Sequence, residues 1–359
     1  MPETVSAVNV KEWCSLLKLP GHLPVFSLTG ASSGQLRFFH DMILPLLAAN
    51  GLLIATVRTA ASNERRNKAS KSTFTISGEC GWKDCLWSGD VSGLGPIVQS
   101  LAREADLVLV ENRPNAGQQS IVLQQLIEHG GESLELLTME NDPTGTAAVI
   151  YACLERLHQR CPIWACILIG GKSSRMGQPK HLLSASLGMT WLERTVRLVQ
   201  PYVDGVALSG AGEVPASLAS IPRLADIPDV AGPMTGILSA MRWQPAVTWL
   251  LLACDMPGLS SDAVKWVLTQ RAVGCCGVVP QISSGRAVEP LFATYEPQCA
   301  GYFEQMNAEG VRRIGRIAEQ KRVRVVQVPE ELRSGWQNIN TPEELSLLND
   351  LNNCPKNDE

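Results

Sequence analysis

Two short apolar runs, each followed directly by a glycine-rich loop, constrain the fold of this chain more than any other feature. The first run, Val25–Thr29, precedes GASSG at residues 30–34, and the second, residues 164–169 (WACILI), precedes GGKSSRMGQPK at residues 170–180. An apolar run that ends in glycine is typical of a buried parallel strand that turns into a helix. The two runs begin about 140 residues apart, which is the size of one domain. The pattern therefore predicts two α/β domains.

Further apolar runs alternate with helical patterns after each of these starts. In the first part, strands are predicted at residues 52–57 and 106–111 (DLVLVE), and helices at residues 119–129 and 144–158. In the second part, strands are predicted at residues 205–208, 249–253, 277–280, 291–294 and 323–328. Helices are predicted there at residues 191–199, 235–242, 261–271, 297–308 and 342–351. This alternation predicts the α/β fold class, with two three-layer domains that each have a parallel sheet between helices.

A short break near residue 160 separates the two predicted domains. The helix that ends there has basic residues in its last turn, which suits the helix dipole, and a proline then interrupts the chain. We therefore expect a first domain at residues 1–160, a second at 161–351 and a polar tail at 352–359. Residues 63–72 (NERRNKASKS) are polar and aperiodic, which predicts an exposed loop, with phosphate binding as the alternative.

The charge balance and the cysteine pattern exclude several classes of protein. The 359 residues carry 31 Lys and Arg against 35 Asp and Glu, and 45% are hydrophobic, so neither a disordered chain nor a general nucleic-acid binder is expected. The 11 cysteines form no CxxC pair and the 5 histidines are scattered, which indicates reduced thiols rather than a zinc site. Acidic residues stand where a signal peptide needs a basic start, and no apolar run is long enough to span a membrane. A cytoplasmic protein without membrane or nucleic-acid partners is therefore expected.

The loop that follows the second apolar run carries the chemistry that phosphate binding requires. Gly170 and Gly171 lack a Cβ, so the backbone there can approach a phosphate or a base closely. Ser173 supplies a hydroxyl at a helix start, where free amides bind anions. Arg175 and Lys180 add positive charge where a triphosphate would lie. Together these residues indicate a nucleotide-binding loop rather than an ordinary turn between a strand and a helix.

This loop resembles the signature of the molybdenum cofactor guanylyltransferases, also called molybdopterin-guanine dinucleotide synthases. Four further segments match that family in order: Asp226 followed by AGPMTGILSAM at residues 231–241, ACDMP at 253–257, EPLFA at 289–293 and NINTPEE at 338–344. The resemblance extends over residues 161–351 and implies a Rossmann-like nucleotidyltransferase fold for the second domain, with GTP as the nucleotide. The residues that it assigns to nucleotide binding are Leu168, Ile169, Gly170, Gly171, Ser173, Lys180, Asp226, Gly232 and Gly236.

The position of Asp255 in the sequence supports a metal-binding role. It follows the apolar run WLLLAC, so it lies at the carboxyl end of a predicted buried strand, where ligands bind in open α/β sheets. A carboxylate there suits Mg²⁺ bound to nucleotide phosphates, and the resemblance also implies a metal at this residue. Asn338 and Asn340 precede a Thr-Pro helix start, and the resemblance implies that they either face the pterin phosphate or complete the metal site. It also places Glu289 on the acceptor side. For Asp226 and the two asparagines, an ordinary role in shaping a turn is the alternative.

The resemblance implies transfer of GMP from GTP to the terminal phosphate of molybdopterin, with release of pyrophosphate. Lys180 and Arg175 would offset phosphate charge, Asp255 would hold Mg²⁺, and no covalent protein nucleophile is expected. The related cytidylyltransferases usually carry alanines where Gly170 and Gly171 stand, so the glycines favour GTP over CTP. The alternatives are cytidylyl or other nucleotidyl transfer to a related phosphate acceptor, or a catalytically silent carrier of the molybdenum cofactor. The expected partners are GTP, molybdopterin, and molybdoenzymes or their chaperones, and a homo-oligomer stays open.

A basic cluster near the end of the second domain has two interpretations. Its members are Arg312, Arg313, Arg316, Lys321, Arg322 and Arg324. A run of charges of this kind is usually a solvated helix face. In the context of the resemblance, it would instead attract an anionic pterin or an acidic partner enzyme.

The first domain resembles, over fewer residues, the GTP-binding adaptor of the same pathway, molybdopterin-guanine dinucleotide biosynthesis protein B. That family opens with the P-loop GxxxxGK[ST], and one of its strands is similar to DLVLVE at residues 106–111. Here Gly30 and Gly34 are one residue too close, and Gln35 and Leu36 stand where the phosphate-binding lysine and the metal-binding hydroxyl belong. We therefore expect a P-loop-like domain that has lost nucleotide hydrolysis and that acts as a scaffold, in dimerisation or in cofactor delivery.

Overall fold

The computed structural model divides into two compact units, which are described separately. One unit is Met1–Cys161 with Ala272–Gly274, and the other is Pro162–Arg271 with Cys275–Glu359. The structure describes residues 17–29, 32–59, 73–77, 82–88, 94–111, 120–127, 131–136, 142–169, 179–185, 188–285 and 287–339. The predicted loop at 63–72 and the predicted helix at 342–351 lie outside these ranges.

The first unit is built on a seven-stranded sheet. Its strands are β1 (Val25–Thr29), β2 (Ile54–Thr59), β3 (Thr73–Ser77), β4 (Trp82–Ser88), β5 (Leu107–Glu111), β6 (Ile121–Gln125) and β7 (Ser133–Leu136). Its helices are α1 (Ser33–Phe38), α2 (Leu44–Ala49), α3 (Leu94–Ala102) and α4 (Pro143–Gln159), and the π-helical turn Phe39–Ile43 joins α1 to α2. The strand order is β3-β4-β2-β5-β1-β6-β7. The four strands from β4 to β1 are parallel, and the pairs β3–β4, β1–β6 and β6–β7 are antiparallel.

Both faces of this sheet are covered, as the three-layer prediction requires. Phe26 and Leu28 of β1 pack on one side against α2 and α4, in a cluster that includes Leu47 and Ile150. Val25, on the opposite face, belongs to a second cluster with α3. The alternation of side chains along the strand divides these two clusters.

The predicted helix at residues 119–129 is wrong, because the structure has strand β6 there. Ile121, Leu123 and Gln125 are buried, while the residues between them are less so, which is the alternation of a strand. The buried Gln125 amide donates to the carbonyls of Gly21 (2.9 Å) and Leu23 (3.0 Å). A short apolar run is compatible with a helix or a strand, and here antiparallel pairing with β1 stabilises the strand.

The second unit is built on another seven-stranded sheet. Its strands are β8 (Ile163–Leu168), β9 (Gly205–Ser209), β10 (Arg223–Leu224), β11 (Thr248–Ala253), β12 (Gly277–Gln281), β13 (Phe292–Tyr295) and β14 (Val323–Gln327). Its helices are α5 (Trp191–Val199), α6 (Pro233–Trp243), α7 (Ser261–Thr269) and α8 (Ala300–Ala308). Short 3₁₀ turns lie at Lys180–Leu182, Gln200–Tyr202, Ala216–Leu218, Pro297–Cys299, Ile314–Glu319 and Glu330–Trp336. The strand order is β10-β9-β8-β11-β13-β12-β14.

The arrangement of this sheet places several loops at one edge. Strands β10, β9, β8 and β11 are parallel, β13 is antiparallel to both of its neighbours, and β14 is parallel to β12. All six residues of β11 are buried. Trp249 and Leu251 face α6 and α8, whereas Leu250 and Leu252 face α5 and α7. The α/β fold class is therefore confirmed, and the loops after β8, β9 and β11 lie at the carboxyl edge where such sheets bind ligands.

None of the helices that the structure describes is both long enough and apolar enough to cross a bilayer.

Candidate active site

Two side chains of opposite charge meet at the carboxyl edge of the second sheet. Asp255 lies two residues after β11, and the amide of Cys254 donates to the carbonyl of Leu168 at the end of β8 (3.3 Å). Lys180 begins a 3₁₀ turn, and its Nζ lies 2.9 Å from Oδ2 of Asp255. The two side chains are 17% and 19% exposed. The strand order thus brings together two predicted site residues that are 75 positions apart in sequence.

The segment after the last 3₁₀ turn is fixed beside Asp255. The amide of Ile339 donates to the carbonyl of Asp255 (3.1 Å). The Ile339 side chain packs with Leu183 and Trp191, which follow the 3₁₀ turn that Lys180 begins. Asn338 precedes Ile339 and is exposed. The structure therefore brings the predicted acceptor residue Asn338 next to the segment that carries Asp255.

The segment of Asp226 is attached to helix α6 on both sides. The hydroxyl of Thr235 accepts from the amide of Ile227 (2.6 Å), and the hydroxyl of Ser239 donates to the carbonyl of Ala225 (2.7 Å). Asp226 lies between these two bonds and is exposed. The backbone around Asp226 is therefore fixed, and its carboxylate is accessible to a ligand.

Helix α6 approaches the strand ends closely because it contains a glycine. A Cβ on Gly236 would lie 2.5 Å from Cδ2 of Leu168 and 2.9 Å from Oγ of Ser209. Gly232 precedes the helix with a φ of +70°, a conformation that favours glycine. Close packing thus explains the glycine at position 236, and the backbone conformation explains the glycine at position 232. A role of either residue in nucleotide binding stays a prediction.

Glu289 approaches the same edge from the opposite direction. Strand β13 runs antiparallel to β11, with Phe292 opposite Leu252. Because Glu289 precedes β13 while Asp255 follows β11, both residues lie beyond the same end of this strand pair. The amide of Glu289 donates to the carbonyl of Pro280 (2.8 Å), which fixes its backbone to β12.

A cleft of 390 Å³ lies beside the Glu289 segment. It is lined by Ala287, Val288, Pro290, Arg312, Arg313, Ile314, Gly315, Arg316 and Glu319. Three of these residues are arginines, and the one carboxylate among them, on Glu319, pairs with Arg316 (3.0 Å). The excess of positive charge favours an anionic ligand. Pro290 belongs to the EPLFA segment, whereas no sequence motif marks Val288 as a lining residue, and only its place next to Glu289 points to it.

Several predicted site residues lie outside the part of the chain that the structure describes. They are Gly170, Gly171, Ser173, Arg175 and Asn340. Ile169 and Pro179, on either side of the glycine-rich segment, are described. The roles of the five residues therefore stay predictions.

The oxygen donors around Asp255 fit a magnesium ion. Mg²⁺ in nucleotide sites takes one or two carboxylates and completes its shell with phosphates and water. Asp255 offers a partly buried carboxylate, and the exposed amide of Asn338 lies in the neighbouring segment. Within the described ranges, no group of three or more His, Cys, Asp or Glu residues has the geometry of a metal cage. The donor set therefore suits an ion that is shared with a nucleotide.

The second unit is similar to known nucleotidyltransferases. Residues 165–325 match the model of the MobA-like NTP transferase domain. A probable molybdenum cofactor guanylyltransferase from Bacillus cereus (strain Q1) is 31% identical over 199 residues, which cover 53% of this chain and 98% of the relative. A molybdenum cofactor biosynthesis bifunctional protein from Synechocystis is 28% identical over 190 residues, which cover 52% of this chain. This chain spans only 54% of the length of that bifunctional relative.

A solved structure is also similar to half of the chain. It is the crystal structure of molybdopterin-guanine dinucleotide biosynthesis protein A from Archaeoglobus fulgidus, with 24% identity and a TM-score of 0.45 over 52% of this chain and 97% of that one. The Bacillus cereus relative, in contrast, is 31% identical and is matched over 98% of its length. The chain belongs to the molybdenum cofactor guanylyltransferase family and is a nucleotidyltransferase.

Proposed function

We propose that this protein transfers GMP from GTP to the terminal phosphate of molybdopterin and releases pyrophosphate. The observation that carries the proposal is the Lys180–Asp255 pair, with 2.9 Å between Nζ and Oδ2, at the carboxyl edge of a nucleotidyltransferase sheet. A cation and a carboxylate at this place suit a triphosphate and its metal ion. A silent carrier of the cofactor would need neither charge.

The chemistry needs position and charge rather than a covalent intermediate. An oxygen of the acceptor phosphate attacks the α-phosphorus of GTP, the bond to the β-phosphate oxygen breaks, and pyrophosphate leaves with its electron pair. Lys180 offsets the negative charge that develops on the phosphates, and Arg175 is predicted to do the same. Asp255 and Asn338 would hold a magnesium ion, which supplies electrostatic stabilisation of the phosphate oxygens. Cys166 is unsuited to nucleophilic attack, because burial raises its pKa to about 12.

The acceptor would lie on the side of Glu289 and Asn338. The cleft beside Glu289 supports this placement, because its arginines, Arg312, Arg313 and Arg316, suit an anionic pterin phosphate. Molybdoenzymes or their chaperones are the expected recipients of the product.

The test is a transfer assay with GTP, Mg²⁺ and molybdopterin. Wild-type protein should form the guanine dinucleotide cofactor, and Asp255→Ala should lose about two to three orders of magnitude in kcat because a charge contact is removed. Asp262→Ala is the matched control, since that carboxylate is 78% exposed in the first turn of α7 and only pairs with Lys265 (3.5 Å). Unchanged turnover in Asp255→Ala would contradict the proposed site.

The same assay determines whether the enzyme uses GTP or CTP as the nucleotide donor. The proposal expects higher kcat/KM with GTP than with CTP, because the two predicted loop glycines leave room for a purine. Higher kcat/KM with CTP would assign the protein to cytidylyl transfer instead.

A further inference from the structure

A buried histidine connects the turn that carries Lys180 to a second segment at the carboxyl edge of the second sheet. His181 is 2% exposed, and its Nε2 lies 2.8 Å from the carbonyl oxygen of Glu213. A carbonyl oxygen only accepts, so Nε2 carries the hydrogen and donates it. Glu213 ends the 210–213 segment, which follows β9 and belongs to none of the predicted motifs.

The contact between this ring and the 210–213 segment is close. A Cβ on Gly212 would lie 2.4 Å from Cε1 and 2.7 Å from Nε2 of His181, so only glycine fits against the imidazole. The imidazole is therefore held by a hydrogen bond and by direct packing against the backbone.

The other end of the 210–213 segment packs on β8. Gly210 has a φ of +118°, and a Cβ there would lie 1.6 Å from the carbonyl oxygen of Ile169. The amide of Ile169 donates to the carbonyl of Ser209, next to Gly210 (2.8 Å). Ile169 is the last described residue before the glycine-rich segment, and Lys180 follows that segment closely. The 210–213 segment thus contacts the chain on both sides of it.

Arg223 holds the 210–213 segment in this conformation. Its Nε and terminal nitrogen donate to the carbonyl of Gly210 (3.3 and 3.0 Å), and the terminal nitrogen also donates to the carbonyl of Gly212. A guanidinium that bonds two carbonyls of one segment restricts their relative orientation. The arginine and the histidine therefore fix the same segment from two sides.

We propose that His181 is a positioning residue for nucleotidyl transfer, which acts by fixing Lys180 through the 210–213 segment. This inference rests on the proposed function. The hydrogen bond from His181 fixes the turn of Lys180 to the 210–213 segment, which also packs against Ile169. The distance between Lys180 and the end of β8 is therefore set, and both can contact the phosphates of one nucleotide. Catalysis requires such placement, because small displacements of a charged group reduce the rate strongly.

The first test compares two substitutions of the histidine. Gln places an amide donor near the position of Nε2, whereas Leu fills similar space without a donor. His181→Leu should raise KM for GTP and lower kcat/KM about 10- to 100-fold, and His181→Gln should restore most of the loss. Equal effects of the two substitutions, or no effect of Leu, would overturn the proposal.

A double-mutant cycle separates positioning from general stability. If His181 acts through Lys180, His181→Leu should change kcat/KM much less in a Lys180→Met background than in wild type. Additive losses would overturn the proposal. If His181→Leu fails to fold, Arg223→Met takes its place, since Arg223 is exposed. That variant should also raise KM for GTP, and an unchanged KM would contradict the role of the segment.

A measurement without turnover keeps this inference apart from the proposed function. Hydrogen exchange reports the amides of Leu182 and Leu183, which donate to the carbonyls of Pro179 and Lys180 (both 3.1 Å). If these amides exchange faster in His181→Leu than in His181→Gln, the hydrogen bond from His181 holds the turn in place. This result would support the inference even if wild-type protein is inactive with GTP and molybdopterin. If wild-type protein is active and the amides exchange equally fast in both variants, His181 does not position the turn. The proposed function would then be unaffected.

Discussion

At the scale of single residues, the Lys180–Asp255 pair shows why both charges belong to one site. Each side chain is largely buried, and a charge in that position is costly unless a partner or a ligand compensates it. In the ligand-free protein each residue compensates the other. A nucleotide with its metal offers the same compensation, with phosphates for the lysine and a cation for the carboxylate. The pair is therefore compatible with both states of the site.

Among the described glycines, Gly210 has the least room for a side chain. It combines a φ of +118° with a backbone oxygen 1.6 Å from where a Cβ would stand, so Gly210→Ala should lower the free energy of unfolding by more than about 2 kcal/mol. Gly285→Ala is the matched control, because Gly285 has a φ of +81° in open space and should cost only about 1 kcal/mol. Urea denaturation measures both variants. Equal losses would mean that backbone strain alone, and not the contact with Ile169, sets the requirement for glycine.

At the scale of elements, the start of α5 supports the turn that carries Lys180. The amide of Trp191 donates to the carbonyl of Leu183 (2.9 Å), so the helix start and the turn are joined. A capping box fixes this helix start: the hydroxyl of Thr190 accepts from the amide of Glu193 (3.2 Å), and the Glu193 carboxylate accepts from the amide of Thr190 (2.7 Å). Ser217 also donates to this carboxylate.

The capping box predicts a pH dependence of stability. Hydrogen bonds from Ser217, and then from Thr190, lower the pKa of Glu193 below its ordinary value. A lowered pKa in the folded state stabilises the protein above the unfolded pKa of about 4.3, and this contribution disappears as the pH falls through the folded pKa. Glu193→Gln should therefore reduce stability at pH 7, and its difference from wild type should shrink below about pH 4. Thermal unfolding between pH 7 and pH 3.5 measures this difference.

The serine offers a matched comparison for that experiment. Ser217→Ala removes the first of the hydrogen bonds that lower the pKa, so it should shift stability in the same direction with a smaller amplitude. A difference between Glu193→Gln and wild type that stays constant with pH would show that the carboxylate charge contributes nothing to the helix start.

At the scale of the whole molecule, local sequence patterns predict the helices and strands more accurately than they predict the contacts between them. The run WLLLAC and the aspartate after it were enough to place Asp255 at a strand end, because a buried strand has a simple signature. The apolar residues at 119–129 suit either element, so the sequence predicts a helix where the structure has strand β6. The contact of Gly212 with His181 has no local signature at all, because it depends on two chain segments that only the sheet brings together.

The first unit has a mostly parallel seven-stranded sheet, and the described part of its carboxyl edge differs from a P-loop in its chemistry. Gln35 stands where a P-loop has lysine, and its backbone N–H donates to the hydroxyl of Ser32, the N-cap of α1 (3.2 Å). At the end of β5, Oε1 of Glu111 lies 2.7 Å from Nε2 of His40, on the π-helical turn. At position 35, a neutral side chain therefore takes the place of the lysine that binds the β- and γ-phosphates in a P-loop.

The whole chain should therefore bind one GTP. Calorimetric titration of the full-length protein with GTP and Mg²⁺ should give a stoichiometry near one. The double variant Lys180→Met/Asp255→Ala should lose this binding, because the only GTP site that we propose lies in the second unit. A second site of micromolar affinity, or Mg²⁺-dependent binding that persists in the double variant, would assign nucleotide binding to the first unit. In that case the P-loop resemblance would be functional in spite of Gln35, and Arg37, two residues further along in α1, would be the first cation to substitute.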